Sequence, residues 1–245
     1  MRWLPACGST NSVLMELPQP ALAAPATVLL ADVQTAGRGR RGRAWLSQPG
    51  AGLTFSVRRS FDTPSLAGLA GLSLVVGLAV AEALEGLGVA KIGLKWPNDV
   101  EADGRKLGGV LVELGSTRDA VWAVIGIGIN LALPAALLAE IDAPATDLAS
   151  LLGSAPPREA VLAAVLVELA PRLAEFEHKG FAPFTGPWQR RNVHGGREVR
   201  ILDGPQVLQE GLCLGVASDG ALLLQDASGV HAVIAGDVSL RAAGA

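Results

Sequence analysis

The chain has 245 residues, half of them hydrophobic and 18% charged, enough for a substantial core in one generous domain or one domain with a small appendage. Twenty basic against 23 acidic residues leave a net charge of −3, which excludes coating nucleic acid by bulk charge, and a composition with five Trp, five Phe and no Tyr leaves little to stack on single-stranded bases. Two cysteines, Cys7 and Cys213, exclude a disulfide scaffold and a four-thiolate zinc site, so a soluble protein of a reducing, cytoplasmic compartment is the default. Ser9, Thr10 and Asn11 offer capping oxygens to a short helix carrying Val13, Leu14 and Leu17, which Pro18 and Pro20 end. The preceding Leu4-Pro5-Ala6-Cys7 has the letters of a lipoprotein cleavage site but lacks the apolar run of roughly 7–15 residues that such a signal needs.

Residues 27–33 and 53–57 read as strands. From 63 to 81 there is no charge for 19 residues, close to the length that spans a bilayer. Its flanks are Asp62 and Glu82, and Leu66, Leu69, Leu72, Val76, Val80 and Leu84 recur at helical spacing. That pattern predicts a buried core helix over about 65–87 and no membrane partner. Residues 89–95 alternate as a strand and meet Trp96-Pro97-Asn98-Asp99, where Pro97 imposes a loop. Asp103-Gly104 is a hairpin turn into a strand over 107–114, and a further strand covers 121–129. The Pro/Ala-rich stretch 132–157 holds a short helical piece near 147–152. Pro156-Pro157 then opens a long helix, with Val161, Leu162, Val165, Leu169, Leu173 and Phe176 on one face and a kink expected at Pro171. Beyond about 192, strands at 197–202, 206–216, 220–225, 229–234 and 237–240 alternate with Asp203-Gly204, Asp219-Gly220 and Ser228-Gly229, which predicts a small β-barrel.

Three clusters carry chemistry. Residues 37–42 spell Gly-x-Gly-x-x-Gly, but the dinucleotide motif needs a helix at its third glycine, and Ala44 to Gly52 cannot form one. Arg38, Arg40, Arg41 and Arg43 repel one another within six positions, while the interleaved glycines let backbone approach a ligand. Such a loop suits a polyanion around which it orders, with a solvated face or a nucleic-acid contact as the other readings. The second cluster sets Lys95, Asn98 and Asp99 at a strand end, with Lys106-Leu107-Gly108-Gly109 returning beside it. The third, Gly126-Ile127-Gly128-Ile129-Asn130, alternates glycine along one strand face, a sign of close approach by another group. His178, His194 and His231 are too scattered for a metal cluster, and no Ser-His-Asp or Cys-His nucleophile is indicated by spacing. A divalent ion would be a hard cation held mainly by phosphate, with Asp99 the leading protein ligand.

These motifs, with the terminal Gly236-Asp237-Val238-Ser239-Leu240-Arg241, resemble the biotin protein ligase family over nearly the whole chain. The resemblance implies an α+β catalytic domain related to class II aminoacyl-tRNA synthetases over 1–193, a mixed sheet with helices. It also implies a C-terminal SH3-like barrel over 194–245. The implied reaction activates biotin with Mg-ATP as biotinyl-5′-AMP and transfers it to a lysine of a biotin carboxyl carrier protein. By position, Ser9, Thr10 and Gln34 would bind the ureido ring, with Asn11, Gly37, Trp45, Gly108, Gly109 and Gly128 also around biotin. Arg38, Gly39 and Arg40 would sit on the ordering loop over carboxylate and phosphate, and Arg43 on pyrophosphate. Lys106 would reach the carboxylate and α-phosphate, and Lys95, Asn98 and Asn130 the nucleotide side. Lys106, Arg40 and Asp99 would be catalytic, Asp99 serving either magnesium or the incoming lysine. Two departures stand out: Gly8 replaces the acidic residue that many relatives carry, and residues 131–147 hold no aromatic to cover adenine. Motifs that begin at Ser9 are expected to belong to a monofunctional ligase without a DNA-binding domain or a DNA partner, for which a homodimer through sheet edges is permitted but not required. The competing expectations are a lipoate or octanoate ligase or transferase of the same superfamily and a non-enzymatic nucleic-acid-binding module.

Overall fold

The computed structural model of the chain describes residues 1–21, 25–141, 143–203, 206–234 and 239–242. Its framework is a seven-stranded mixed sheet built from β1 (Arg2–Cys7), β2 (Thr27–Gln34), β3 (Gly52–Phe61), β4 (Gly93–Lys95), β5 (Asp99–Ala102), β6 (Arg105–Ser116) and β7 (Val121–Asn130). The order is β1-β2-β3-β7-β6-β5-β4, with β1–β2 the only parallel pair in it. On β3 the apolar Leu53, Phe55 and Val57 alternate with Thr54, Ser56 and Arg58, so one sheet face is greasy and the other polar. Helix α1 (Thr10–Met15) lies on the polar face, where Leu14 packs with Leu29 and Val124.

On the apolar face, α2 (Leu72–Gly86) lies between the sheet and a second helix, so it is hydrophobic all round rather than amphipathic. The stretch Leu66–Gly86 is apolar enough to cross a membrane by composition, but most of it is buried inside the fold. The helix expected over 65–87 is interrupted: a 3-10 turn at Leu66–Leu69 gives way to α2 at Gly71, whose φ of 80° is a left-handed conformation that ends the first turn. Two short helices follow, α3 (Ala135–Ala139) and α4 (Leu148–Leu152), the latter capped by Asp147 accepting from Ser150 N. Helix α5 (Arg158–Lys179) covers α2 and buries the six apolar residues expected of it. Helix α6 (Thr185–Arg191) ends this region.

Several elements depart from the sequence reading. Strand β1 and helices α3 and α6 had no expectation, and the 89–95 strand shrinks to β4, leaving Val89 and Ile92 buried in the core outside it. Asp99 begins a strand rather than ending a loop.

The C-terminal strands β8 (Glu198–Asp203), β9 (Gln206–Val216), β10 (Leu222–Asp226), β11 (Gly229–Val233) and β12 (Ser239–Ala242) form a five-stranded antiparallel sheet, order β11-β10-β9-β8-β12. Among the described residues no pairing joins β11 to β12, so the sheet is open where a barrel was expected. Gly204 and Gly236–Val238, on which part of that expectation rested, lie outside the described residues. This sheet is fastened to the rest of the molecule at the Trp96-Pro97 turn, whose peptide is cis: the buried Trp96 indole donates to Gly220 O at 3.1 Å.

His194 sits at the same junction, buried and without a hydrogen-bond partner on either ring nitrogen. Burial, with Lys95 and Arg197 facing it, pushes its pKa down to about 4. A group whose folded pKa lies below its unfolded value near 6.5 binds protons first in the unfolded chain, so stability falls as pH drops from about 6.5 to 4. The full effect is about 3 kcal/mol. Thermal unfolding across that range is expected to show this slope and His194→Gln to flatten it; an unchanged slope in the variant contradicts the assignment.

Candidate active site

Pairing register lines up Thr54 and Ser56 of β3, Gly128 and Gly126 of β7, Gly109 and Leu111 of β6, and Asp99 of β5 across the polar sheet face. The glycines on this face are paved over. A Cβ on Gly126 would lie 2.5 Å from Asn11 Oδ1, and one on Gly128 2.4 Å from the Trp45 ring. Alternation places Gly109 here, beside Asp99 and Lys106, while the Cβ position of Gly108 points at Gly128 O, 2.7 Å away. Gly108 is therefore required for close strand approach and offers only backbone to a ligand.

At one end of the face, side chains form a continuous hydrogen-bonded chain. Gln34 Oε1 accepts from Thr10 N (2.7 Å) and Thr10 Oγ1 (3.1 Å). Ser56 Oγ lies 2.7 Å from Thr10 Oγ1 and 2.6 Å from Asn11 Oδ1. Asn11 Nδ2 donates to Glu113 Oε2 (2.8 Å) and Leu111 O (3.2 Å). Ser9, Thr10, Asn11 and Ser56 are all buried, and the side chains of Thr10, Asn11 and Ser56 satisfy one another in a fixed geometry.

The other end is ionic. Lys106 Nζ lies 2.6 Å from Asp99 Oδ1 and 5.9 Å from the centre of the Trp45 ring. Lys95 pairs with Glu101 at 3.6 Å; burial raises the Glu101 pKa, against the pull of Lys95. Asn98 Nδ2 donates to Val110 O, and Asn130 Nδ2 to Lys106 O and Thr146 O. Both amides thus hold the turn and the Lys106 backbone, a structural task alongside the nucleotide role expected of them.

The basic loop closes over the face as a small hairpin. Trp45 N donates to Gly37 O, Gly39 N to Arg43 O, and Arg43 N to Arg40 O. Arg41 takes a left-handed backbone (φ 59°) and pairs with Asp203 of β8. Arg38 Nη2 lies 2.8 and 2.7 Å from the two Glu113 oxygens. No helix starts after Gly42, in keeping with the rejection of a dinucleotide motif.

All three clusters meet on one surface. Sequence reasoning missed Ser56 and Glu113 as members. Ser56 was visible as a polar residue in the period-2 pattern of β3, whereas Glu113 gave no local signal beyond a charge at the end of an apolar strand. Away from this surface, Asp226, Ser228 and His231 meet on the β10–β11 hairpin, but Ser228 Oγ and Asp226 Oδ1 approach the same nitrogen, His231 Nε2, so no relay exists. Hydrogen bonds from Ser228 hold the Asp226 pKa down at about 2. Among the described residues no group of three His, Cys, Asp or Glu could hold a metal ion.

Residues 4–130 match the biotin/lipoate A/B protein ligase family, and residues 194–241 match the biotin protein ligase C terminal domain. The chain is 36% identical over 98% of its length to the bifunctional ligase/repressor BirA of Escherichia coli, covering 74% of that protein. It is 35% identical over 94% of its length to the biotin–[acetyl-CoA-carboxylase] ligase of Mycobacterium tuberculosis, covering 85% of it. Among solved structures, a biotin protein ligase from Aquifex aeolicus in complex with biotin and ATP superposes with a TM-score of 0.82, at 36% identity and 98% coverage of both chains.

Proposed function

The chain belongs to the biotin/lipoate A/B protein ligase family, and from that premise we infer its reaction: it is an ATP-dependent biotin–protein ligase. The biotin carboxylate attacks the α-phosphate of ATP, giving biotinyl-5′-AMP and pyrophosphate. The ε-amine of a lysine on the biotin carboxyl carrier protein of acetyl-CoA carboxylase then attacks the anhydride carbonyl, forming an amide and releasing AMP. One observation carries the inference: the chain matches over 98% of its length a ligase solved with both substrates, and its own residues set out one sheet face with a hydrogen-bonded polar end, glycines covered by Asn11 and Trp45, and a cationic end.

The roles we assign follow that gradient. Thr10, Asn11 and Gln34, with Ser9 beside them, face the ureido ring, a group with both donors and acceptors. Trp45, seated on Gly128, forms the floor under the bicyclic ring. Lys106, Arg38 and Arg40 supply positive charge where carboxylate and phosphate oxygens meet and the pentavalent transition state gathers charge. Arg43 and Lys95 extend that field toward pyrophosphate and nucleotide. Magnesium enters with ATP. Asp99 is the carboxylate that would hold it, since one carboxylate plus phosphate oxygens would suit a cation that keeps most of its own shell. We assign the C-terminal sheet, from residue 194, to an SH3-like barrel; five short antiparallel strands and the C-terminal domain match support this.

Gly128→Val tests the floor. The added side chain displaces the Trp45 ring, and it is expected to cost about 1–3 kcal/mol of stability and to raise the biotin KM at least tenfold. Thermal unfolding and steady-state kinetics read both, and an unchanged biotin KM removes Gly128 from the site. The reaction itself is tested by incubating the protein with biotin, Mg-ATP and a folded carrier domain. A mass gain of one biotinyl group on the carrier is expected. No transfer at high enzyme concentration, or transfer of lipoate or octanoate in place of biotin, overturns the reading.

A further inference from the structure

We propose that Glu113 is a positioning residue that ties the basic loop to the ureido end of the pocket. Its two oxygens do different work. Oε2 accepts from Asn11 Nδ2 at 2.8 Å, and both oxygens lie within 2.8 Å of Arg38 Nη2. Asn11 is buried and fixed on its other side by Ser56, which also touches Thr10, the partner of Gln34. An unbroken line of hydrogen bonds therefore runs from the loop, through one carboxylate, to the residues assigned to the ureido ring. Glu113 sits on β6 opposite Val124 of β7, so Arg38 is anchored to the sheet rather than to another loop. Glu113 engages only Nη2 in these contacts, so Nε and Nη1 of Arg38 take no part in the tie. Ordering the loop in advance removes an entropic cost that substrate would otherwise meet on binding. Side-chain exposures of 44% for Arg38 and 27% for Glu113 make the tie a modest one.

The inference rests on the ligase reading for its kinetic consequence but not for the tie itself, and the test separates the two. Glu113→Gln keeps an acceptor for Asn11 and removes the charge that holds Arg38. In the full-length protein without substrates, trypsin cleavage within residues 38–43 is expected to quicken about fivefold, the size a half-exposed charged hydrogen bond supports, while Tm moves by no more than about 2 °C. Arg38→Gln, on the loop side, should quicken cleavage at the remaining arginines equally, and the double variant no further, because both changes break one interaction. In the ligase assay Glu113→Gln should raise the biotin KM by a similar factor with kcat for adenylate formation within twofold, and Glu113→Asp should recover part of the loss. Unchanged loop cleavage in both single variants overturns the proposal. So does faster cleavage throughout the protein together with a fallen Tm, which marks Glu113 as a general stabiliser. If the wild-type protein forms no biotinyl-5′-AMP, the ligase reading fails while the cleavage comparison still decides the tie.

Discussion

Lys106→Met is expected to slow biotinyl-5′-AMP formation by roughly 10²–10³-fold, the loss seen when one preorganised charge donor is removed from a transition state. The backbone of Lys106 is held on three sides: its N–H donates to Pro144 O at 2.8 Å, and its carbonyl accepts from Thr146 N at 2.9 Å and Asn130 Nδ2 at 3.3 Å. The ammonium is thus delivered from a fixed strand end, and methionine keeps the apolar stem while deleting only the charge. The ion pair with Asp99 is partly exposed on both sides, so its loss should move stability by less than about 1 kcal/mol. A large kinetic effect with a small change in Tm is the expected pattern, read by pyrophosphate release and thermal unfolding. A rate within tenfold of wild type would remove Lys106 from the chemistry.

Asp99→Asn is expected to act on the second half-reaction. An acceptor lysine with a pKa near 10.4 must shed a proton before it attacks, and a placed carboxylate base contributes roughly 10²–10⁴-fold. In this structure Asp99 is bonded to Lys106. We expect Lys106 to turn toward phosphate when adenylate forms, which frees Asp99 for the incoming amine. Single-turnover transfer from preformed biotinyl-5′-AMP should therefore fall at least a hundredfold, with adenylate formation within tenfold of wild type. Equal losses in both steps would instead place Asp99 with Lys106 or with magnesium in activation and end the base role.

Much of this was legible beforehand, and the gaps have physical causes. The clusters at 9–11, 34–43, 95–99, 105–109 and 126–130 were found because each carries several rare features within a few residues, and pairing register then brought them together. The long helix was read correctly as core, but its start was not: Gly71 takes a left-handed φ of 80° that ends the first turn, and a Cβ there would lie 2.8 Å from that of Phe181, a neighbour 110 positions away that nothing local announces. Strand β1 escaped because Arg2, Pro5 and Ala6 show no alternation, and only pairing with β2 makes them a strand. Glu113 escaped for the same reason: its meaning lies in Asn11 and Arg38, both over seventy residues distant in sequence.

The sheet order has a consequence for synthesis. β3 ends at Phe61, yet its neighbour β7 begins only at Val121, and α2 is made between them. A ribosome therefore releases an apolar helix well before the strands that half-cover it, followed later still by α5. Chains emerge N-terminus first at roughly 5–20 residues per second, so α2 waits for several seconds without its lid. During that interval the nascent chain exposes an apolar segment with the composition of a membrane span, the kind of surface that aggregates until the rest of the core covers it.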